Sequence, residues 1–177
     1  MGYLHKMAEY FDVFDADGNY LGKRLRSECH GNPALIHRSV HIVVFDSSKK
    51  KVLLQKRSLA KDIQPGKWDT AVGGHVDAGE TVEAAAQREL REELGIGGKL
   101  EFFFTSEIRN EIESENVTVF KLLCDGPFDF SREEIDEIRF WDLEEFADIA
   151  GQVRKDFTPN LQLELAEICQ RHLAGEC

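Results

Sequence analysis

The chain has 177 residues, 42% of them hydrophobic and 31% charged, with a net charge of −11. That length fits one domain with a sizeable core, and the acidity argues against a nucleic-acid polymer or an anionic membrane as partner. No apolar run is long enough to span a bilayer and the N-terminus lacks a signal-peptide pattern. Cys29, Cys124, Cys169 and Cys177 form no CxxC pair, so free thiols and a cytoplasmic location are expected.

Taken in order, residues 8–26 read as a hairpin, with Phe11-Asp12-Val13-Phe14 and Tyr20-Leu21-Gly22 flanking the turn sequence Asp15-Ala16-Asp17-Gly18-Asn19. The acidic residues of that turn lack the length and closing Glu of an EF-hand. Gly31 and Pro33 mark a linker into a strand at 40–45, and 52–57 returns as its partner. Pro65-Gly66-Lys67 breaks the chain before a short strand at 68–72. Further strands are expected at 100–108, 117–124 and 138–141, then a helix from about 143. Phe157-Thr158-Pro159-Asn160 caps a last helix on which Leu161, Leu165 and Ile168 share one face. Trp68, Phe102, Phe103, Phe104 and Trp141 could stack on a base, although aromatic residues at strand positions are more often core.

The stretch 73–96 organises the rest. If 81–94 is a helix, Glu89, Glu92 and Glu93 share one face with Val82, Ala85 and Ala86, and Leu90 borders it. Carboxylates crowded onto an apolar strip repel one another and lose solvation, so they call for a cation or a proton. Hard oxygen ligands suit Mg²⁺ or Mn²⁺. Gly73, Gly74 and Gly79 allow a tight loop just before the helix, Glu80 and Thr81 can cap its start, and Gly95 can end it in the left-handed conformation. A loop and helix of this kind would present metal ligands to a phosphate chain. Neither a P-loop nor a GxGxxG fingerprint fits.

The segment resembles the Nudix box, Gly-x5-Glu-x7-Arg-Glu-U-x-Glu-Glu-x-Gly-U, with U a bulky aliphatic residue. Gly74, Glu80, Arg88, Glu89, Leu90, Glu92, Glu93, Gly95 and Ile96 fill its fixed positions in order. The resemblance implies a Nudix-type α/β/α sandwich with a mixed sheet. Residues 1–177 would be a single domain, 1–36 an N-terminal extension carrying the hairpin as an appendage and 37–177 the core. It implies Mg²⁺ (or Mn²⁺) held by Glu89, Glu92 and Glu93 with Gly74, and Arg88 paired with Glu80 to hold the loop. The substrate would be a small organic diphosphate. The organic group, and the oligomeric state, a homodimer included, stay open.

Outside the box, Leu54-Gln55-Lys56-Arg57-Ser58-Leu59-Ala60-Lys61, Pro65-Gly66-Lys67-Trp68 and Phe157-Thr158-Pro159 are similar to the isopentenyl diphosphate isomerase branch. That resemblance implies a second divalent site at His30, His37, His75, Glu113 and Glu115, with Arg57 and Lys61 at diphosphate-binding positions. The isomerase also needs a cysteine where this chain has Gly73, and its box tends to be degraded whereas this one is intact. The expected activity is therefore Mg-dependent hydrolysis of a diphosphate linkage in a nucleoside diphosphate derivative or another organic diphosphate. The alternatives are isomerisation of isopentenyl diphosphate and a non-catalytic Nudix binding protein. Candidates for the general base are Glu89, Glu113, Glu115, Glu134 and Glu137.

Overall fold

The computed structural model of the chain describes residues 8–149 and 152–177; residues 1–7 of the expected extension and 150–151 of the expected core lie outside them. Among the described residues no helix is long and apolar enough to cross a membrane.

Strands β1 (Tyr10–Phe14) and β2 (Tyr20–Leu25) pair antiparallel as their own sheet. Their turn closes on Asp15, whose Oδ1 accepts from the N–H groups of Asp17 and Asn19 at 2.9 and 2.8 Å. One helical turn, α1 (Arg26–Cys29), follows and was not foreseen. β3 (His37–Phe45) is the central strand. It runs parallel to β8 (Ser114–Leu123), which pairs antiparallel with β7 (Glu101–Arg109). β4 (Lys51–Arg57) lies between β5 (Trp68–Thr70) and β9 (Ile135–Asp142).

The single strand expected at 68–72 is in fact two. β5 pairs with β4, then beyond Ala71 the chain changes partner and β6 (Val72–His75) pairs with β3. β3 and β4 meet only at Phe45 and Val52, so their other ends diverge and the sheet splits into two halves. The buried Ala71 marks the switch.

Helix α2 (Val82–Leu94) covers one face, burying Ala85, Ala86, Leu90 and Leu94 against Val40, Ile42, Val44 and Leu53. Helix α3 (Pro159–Leu173) covers the other, with Leu161, Leu165 and Ile168 against a core that includes Val43, Phe45, Val117 and Val119. Alternate residues of β3 thus serve opposite cores, as its period of two requires. The helix expected from 143 is only a 3₁₀ turn, Leu143–Phe146. Leu143, Phe146 and Ile149 are all buried, and a spacing of three aligns them on a three-residue turn better than on an α-helix. Trp68, Phe103, Phe104 and Trp141 are core, whereas Phe102 is exposed.

The hairpin is more than an appendage. Phe11 and Val13 are fully buried with Cys29, Phe14 bridges Ile36, and Asp12 accepts from the Gly79 N–H at 2.8 Å. Tyr10 O accepts from the Ala78 N–H at the same distance. The hairpin therefore braces the loop that precedes α2.

At the other end of α2, Gly95 sits at φ 66° with its N–H donating to Arg91 O. The Asp129 and Ser131 N–H groups cap the Leu94 and Glu93 carbonyls. A Cβ at Gly95 would lie 2.5 Å from the Asp129 carbonyl oxygen. Gly95→Ala is expected to destabilise the protein by about 1–3 kcal/mol, from left-handed strain plus that clash, read as a lower urea midpoint.

Candidate functional site

Three groups of polar residues converge where β6 enters the loop and α2. The first is the carboxylate face. Thr81 caps α2 by accepting from the Ala84 N–H at 3.2 Å, which fixes where the helix begins. One turn apart, Glu89 and Glu93 then point into the split of the sheet. Glu93 is buried, and its Oε2 accepts from Gln55 Nε2 at 2.7 Å while the same amide donates to Ala71 O at 3.2 Å. Burial, reinforced by Glu89, pushes the Glu93 carboxyl up to about 8. Burial also raises Glu89, against the pull of Arg88. A Cβ at Gly74 would fall 2.1 Å from Glu89 Cδ, so only glycine lets the carboxylate lie against that backbone.

Glu92 does not share this environment. Its side chain is 59% exposed and is held by Arg88 Nη1 at 3.3 Å. At three residues from Glu89 it falls on the flank of the buried strip, whereas Glu93, at four, stays on it.

Arg88 ties the loop to the helix. It donates to Glu80 at 2.8 and 3.1 Å, to Glu89 at 2.6 Å and to the His75 carbonyl at 3.0 Å. These bonds hold Glu80 below its ordinary range. The pairing of Arg88 with Glu80 expected from the sequence is thus present, and Arg88 grips Glu89 as well.

The second group is the imidazole cluster. Each of His30, His37 and His75 offers a ring nitrogen within 4.8 Å of the others. A common centre therefore lies within about 2.8 Å of all three, the side divided by √3. His75 Nε2 is 3.1 Å and His37 Nε2 3.3 Å from Glu115 Oε1. The His37 contact is close but not aligned as a hydrogen bond, so among the described residues both its buried ring nitrogens lack a hydrogen bond, as does His30 Nε2. Orphaned, buried ring nitrogens facing a carboxylate are a donor set that fits a borderline divalent cation. Burial alone would raise Glu115, but the two imidazoles outweigh it and hold the carboxyl well below the usual range. Burial raises Glu113, which also feels Glu115 and both imidazoles. The three imidazoles and Glu115 thus lie together, and Glu113 is near enough to be influenced by them, although their sequence positions span 30 to 115.

Phe11 was missed as part of this cluster. Its ring stacks on His37 at 4.8 Å and on His75 at 4.7 Å, closing the imidazoles from the hairpin side. A buried aromatic on a strand reads as ordinary core, so no sequence signal marks it.

The third group is basic. Arg57 is committed to the protein, with Nη1 3.3 Å from Asp69 and Nε donating to Ile63 O at 3.1 Å. Lys61 pairs with Glu134, and both lie close enough to influence Glu93. Glu137 stands exposed on β9.

Glu93 yields a prediction for the metal-free protein. Its carboxyl titrates higher folded than unfolded, so its stabilising contribution is complete below about 4.5 and falls as pH rises towards 8, by about 1.4 kcal/mol per unit of difference. In EDTA, stability should therefore decline over that window, and Glu93→Gln should flatten the decline. Denaturation midpoints measured across pH check this.

A NUDIX domain pattern matches residues 35–161. An uncharacterized Nudix hydrolase of Yersinia pestis is 37% identical over 132 residues, 73% of this chain and 71% of that one. An isopentenyl-diphosphate Delta-isomerase of Serratia proteamaculans is 31% identical over 157 residues, 86% and 87% of the two chains. The crystal structure of the Deinococcus radiodurans protein DR0079 superposes with a TM-score of 0.72 at 26% identity, covering 90% of this chain and 99% of that one. The α/β/α layering, the box and the isomerase-like features therefore have one source: the chain is an enzyme of the Nudix hydrolase family.

Proposed function

We propose that the protein hydrolyses a diphosphate linkage, in a nucleoside diphosphate derivative or another small organic diphosphate, with Mg²⁺ or Mn²⁺. The observation that carries this reading is the buried carboxylate of Glu93 beside the half-buried one of Glu89, which lies against the bare backbone of Gly74. Two neighbouring, desolvated carboxyls resist joint ionisation unless a cation shares them. Glu89, Glu93 and the Gly74 carbonyl would hold the ion, with Glu92 reaching from the flank. When bound, it neutralises charge on the diphosphate and lowers the pKa of a coordinated water.

The chain's own residues then position the parts. Arg88 holds Glu89 and the loop in place, and Gln55 orients Glu93. Lys61, beside Glu93, meets the outer phosphate, while Arg57 braces Asp69 and acts on substrate only by shaping the loop. Among the candidate bases, Glu89 and Glu134 are the two that act on Glu93. Glu113 and Glu115 belong with the imidazoles, and Glu137 with the open surface of β9. We assign His30, His37, His75, Glu113 and Glu115 to a second, softer divalent centre. The whole chain acts as one catalytic unit, in a reducing cytoplasm where its cysteines stay free.

Similarity to the Serratia isomerase and the imidazole cluster favour a second reading, isopentenyl diphosphate isomerisation. Gly73 opposes it, because the proton-handling thiol is missing. A Cβ there would also stand 3.3 Å from His41 Cδ2.

Two outcomes test these assignments. With saturating Mg²⁺, Glu93→Gln should lower kcat at least about a hundredfold on a diphosphate panel while circular dichroism stays native; near wild-type turnover would sink the role of Glu93. Elemental analysis should find Zn²⁺, Mn²⁺ or Fe²⁺ in the protein at pH 7, lost near about pH 5.5 as the imidazoles protonate and absent from His37→Ala. Retention of that metal by His37→Ala would remove the second centre.

A further inference from the structure

At the end of the sheet where β3 and β4 stay paired, a cleft of about 310 Å³ opens beyond the C-terminal end of α2. Three stretches wall it. Lys49 comes from the turn between β3 and β4, Gly97-Gly98-Lys99 from the loop that follows α2, and Glu101, Lys121, Leu122 and Leu123 from the adjoining ends of β7 and β8. No residue of the cleft belongs to the carboxylate or imidazole groups described above.

The charge gathered here is opposite to that of the chain. The protein carries −11, yet three lysines and a single acid, Glu101, line the cleft. None of the three ammonium groups has an Asp or Glu partner among the described residues. Lys49 Nζ donates to the main-chain oxygen of Cys177 at 2.8 Å, and Lys121 Nζ donates to that of Glu176. An ammonium carries three N–H donors, so both lysines keep donors to spare. Like charges held in one concavity repel one another, and an anion shared among them turns that repulsion into attraction.

The loop adds main-chain donors. The N–H groups of Gly97, Gly98 and Lys99 make no hydrogen bond among the described residues. A Cβ at Gly98 would lie 2.7 Å from Leu122 Cδ1, so the backbone packs on β8 as closely as only glycine allows, while a Cβ at Gly97 would meet nothing within 4 Å. Successive free N–H groups in an irregular loop make an anion-binding concavity. The carbonyls that would repel an anion there are already occupied. Gly98 O accepts from Gln87 Nε2 at 2.9 Å, and the Leu94 and Glu93 carbonyls accept from the Asp129 and Ser131 N–H groups.

We propose that this cleft is an anion site apart from the carboxylate centre, and that it binds the phosphoryl group of a small molecule through Lys49, Lys99, Lys121 and the loop N–H groups. It shares no residue with the carboxylate centre and needs no metal, so it stands independently of the diphosphate reading. The donors narrow the class. A phosphoryl group brings nearly two charges and three acceptor oxygens to a site with three cations and several N–H donors, which a carboxylate could not satisfy. A nucleic-acid polymer is disfavoured by Glu101 in the wall and by the acidity of the rest of the surface. The volume lies at the small end of ligand pockets, and Leu122 and Leu123 offer an apolar wall to a short organic body beyond the phosphate.

Binding followed at the loop itself tests this. In EDTA and at constant ionic strength, orthophosphate and ribose 5-phosphate are titrated into ¹⁵N-labelled protein, with chloride as the control. The amide signals of Gly97, Gly98 and Lys99 should shift and saturate with at least one of the two phosphates and stay in place with chloride. Lys99→Glu, at an exposed position and so compatible with folding, should weaken that binding at least about tenfold, and Lys121→Gln should weaken it in the same direction. Loop signals that do not move, an equal response to chloride, or unchanged affinity in Lys99→Glu overturns the proposal. Shifts confined to Gly73 and Gly74 overturn it as well, because they place the phosphate at the carboxylate centre. Saturable binding of either phosphate supports the site, and the tighter of the two names its source, the free anion or a phosphorylated metabolite seated on the leucines.

Discussion

The guanidinium of Arg88 is the interaction on which the rest depends. One planar group reaches the loop at Glu80 and the His75 carbonyl, and the helix at Glu89. The loop carries Gly74 and the helix carries the carboxylates, so their separation is set by this fork. Arg suits the role because its donors lie in a rigid plane and it stays charged when half-buried. The same contacts stabilise Glu89 as an anion against burial, leaving Glu93 as the carboxyl with the larger upward shift. In a site built this way Arg88 offsets part of the burial of one acid, while the other is left to be satisfied by a cation or a proton.

The hairpin gives the imidazole cluster a similar kind of support. Phe11 lies flat on two of the three rings, and Asp12 and Tyr10 hold the loop backbone beside them. The cluster thus draws its polar groups from the residue that caps α1 and from β3, β6 and β8, and its cover from β1. Residues before the central strand help to enclose the imidazoles and to hold the loop before α2.

How much of this was legible in the sequence follows from the range of each interaction. The box was readable because its spacing is a local consequence of helical period: Thr81, Glu89, Glu93 and Gly95 all fall where 3.6 residues per turn puts them. The same period set Glu92 on the flank, but proximity in sequence disguised it as a third carboxylate on the buried strip. The core strands were found from runs of β-branched residues, although the exchange of partners at Ala71 was not, because hydrogen-bond partners leave no trace in a short apolar run. The 3₁₀ turn after 142 was mistaken for a helix, since spacings of three are common to both. His41 with Glu164, 123 residues apart, and Phe11 over the imidazoles arise only from tertiary packing. Arg57 shows the converse: its position matched a phosphate-binding one, while the fold gives its guanidinium to Asp69 and a loop carbonyl.

The change of partner at Ala71 has a mechanical consequence. The two half-sheets are joined there by continuous chain, and Gln55 links the Ala71 carbonyl to Glu93 across the same point. A rotation of one half against the other displaces each atom in proportion to its distance from the axis. Groups at the fork of the sheet sit on the short arm of that lever, while the outer edges, β9 on one side and β7 on the other, sit on the long arms. A rotation of one half against the other about that point would thus leave the separation of Glu93 and Ala71 nearly constant.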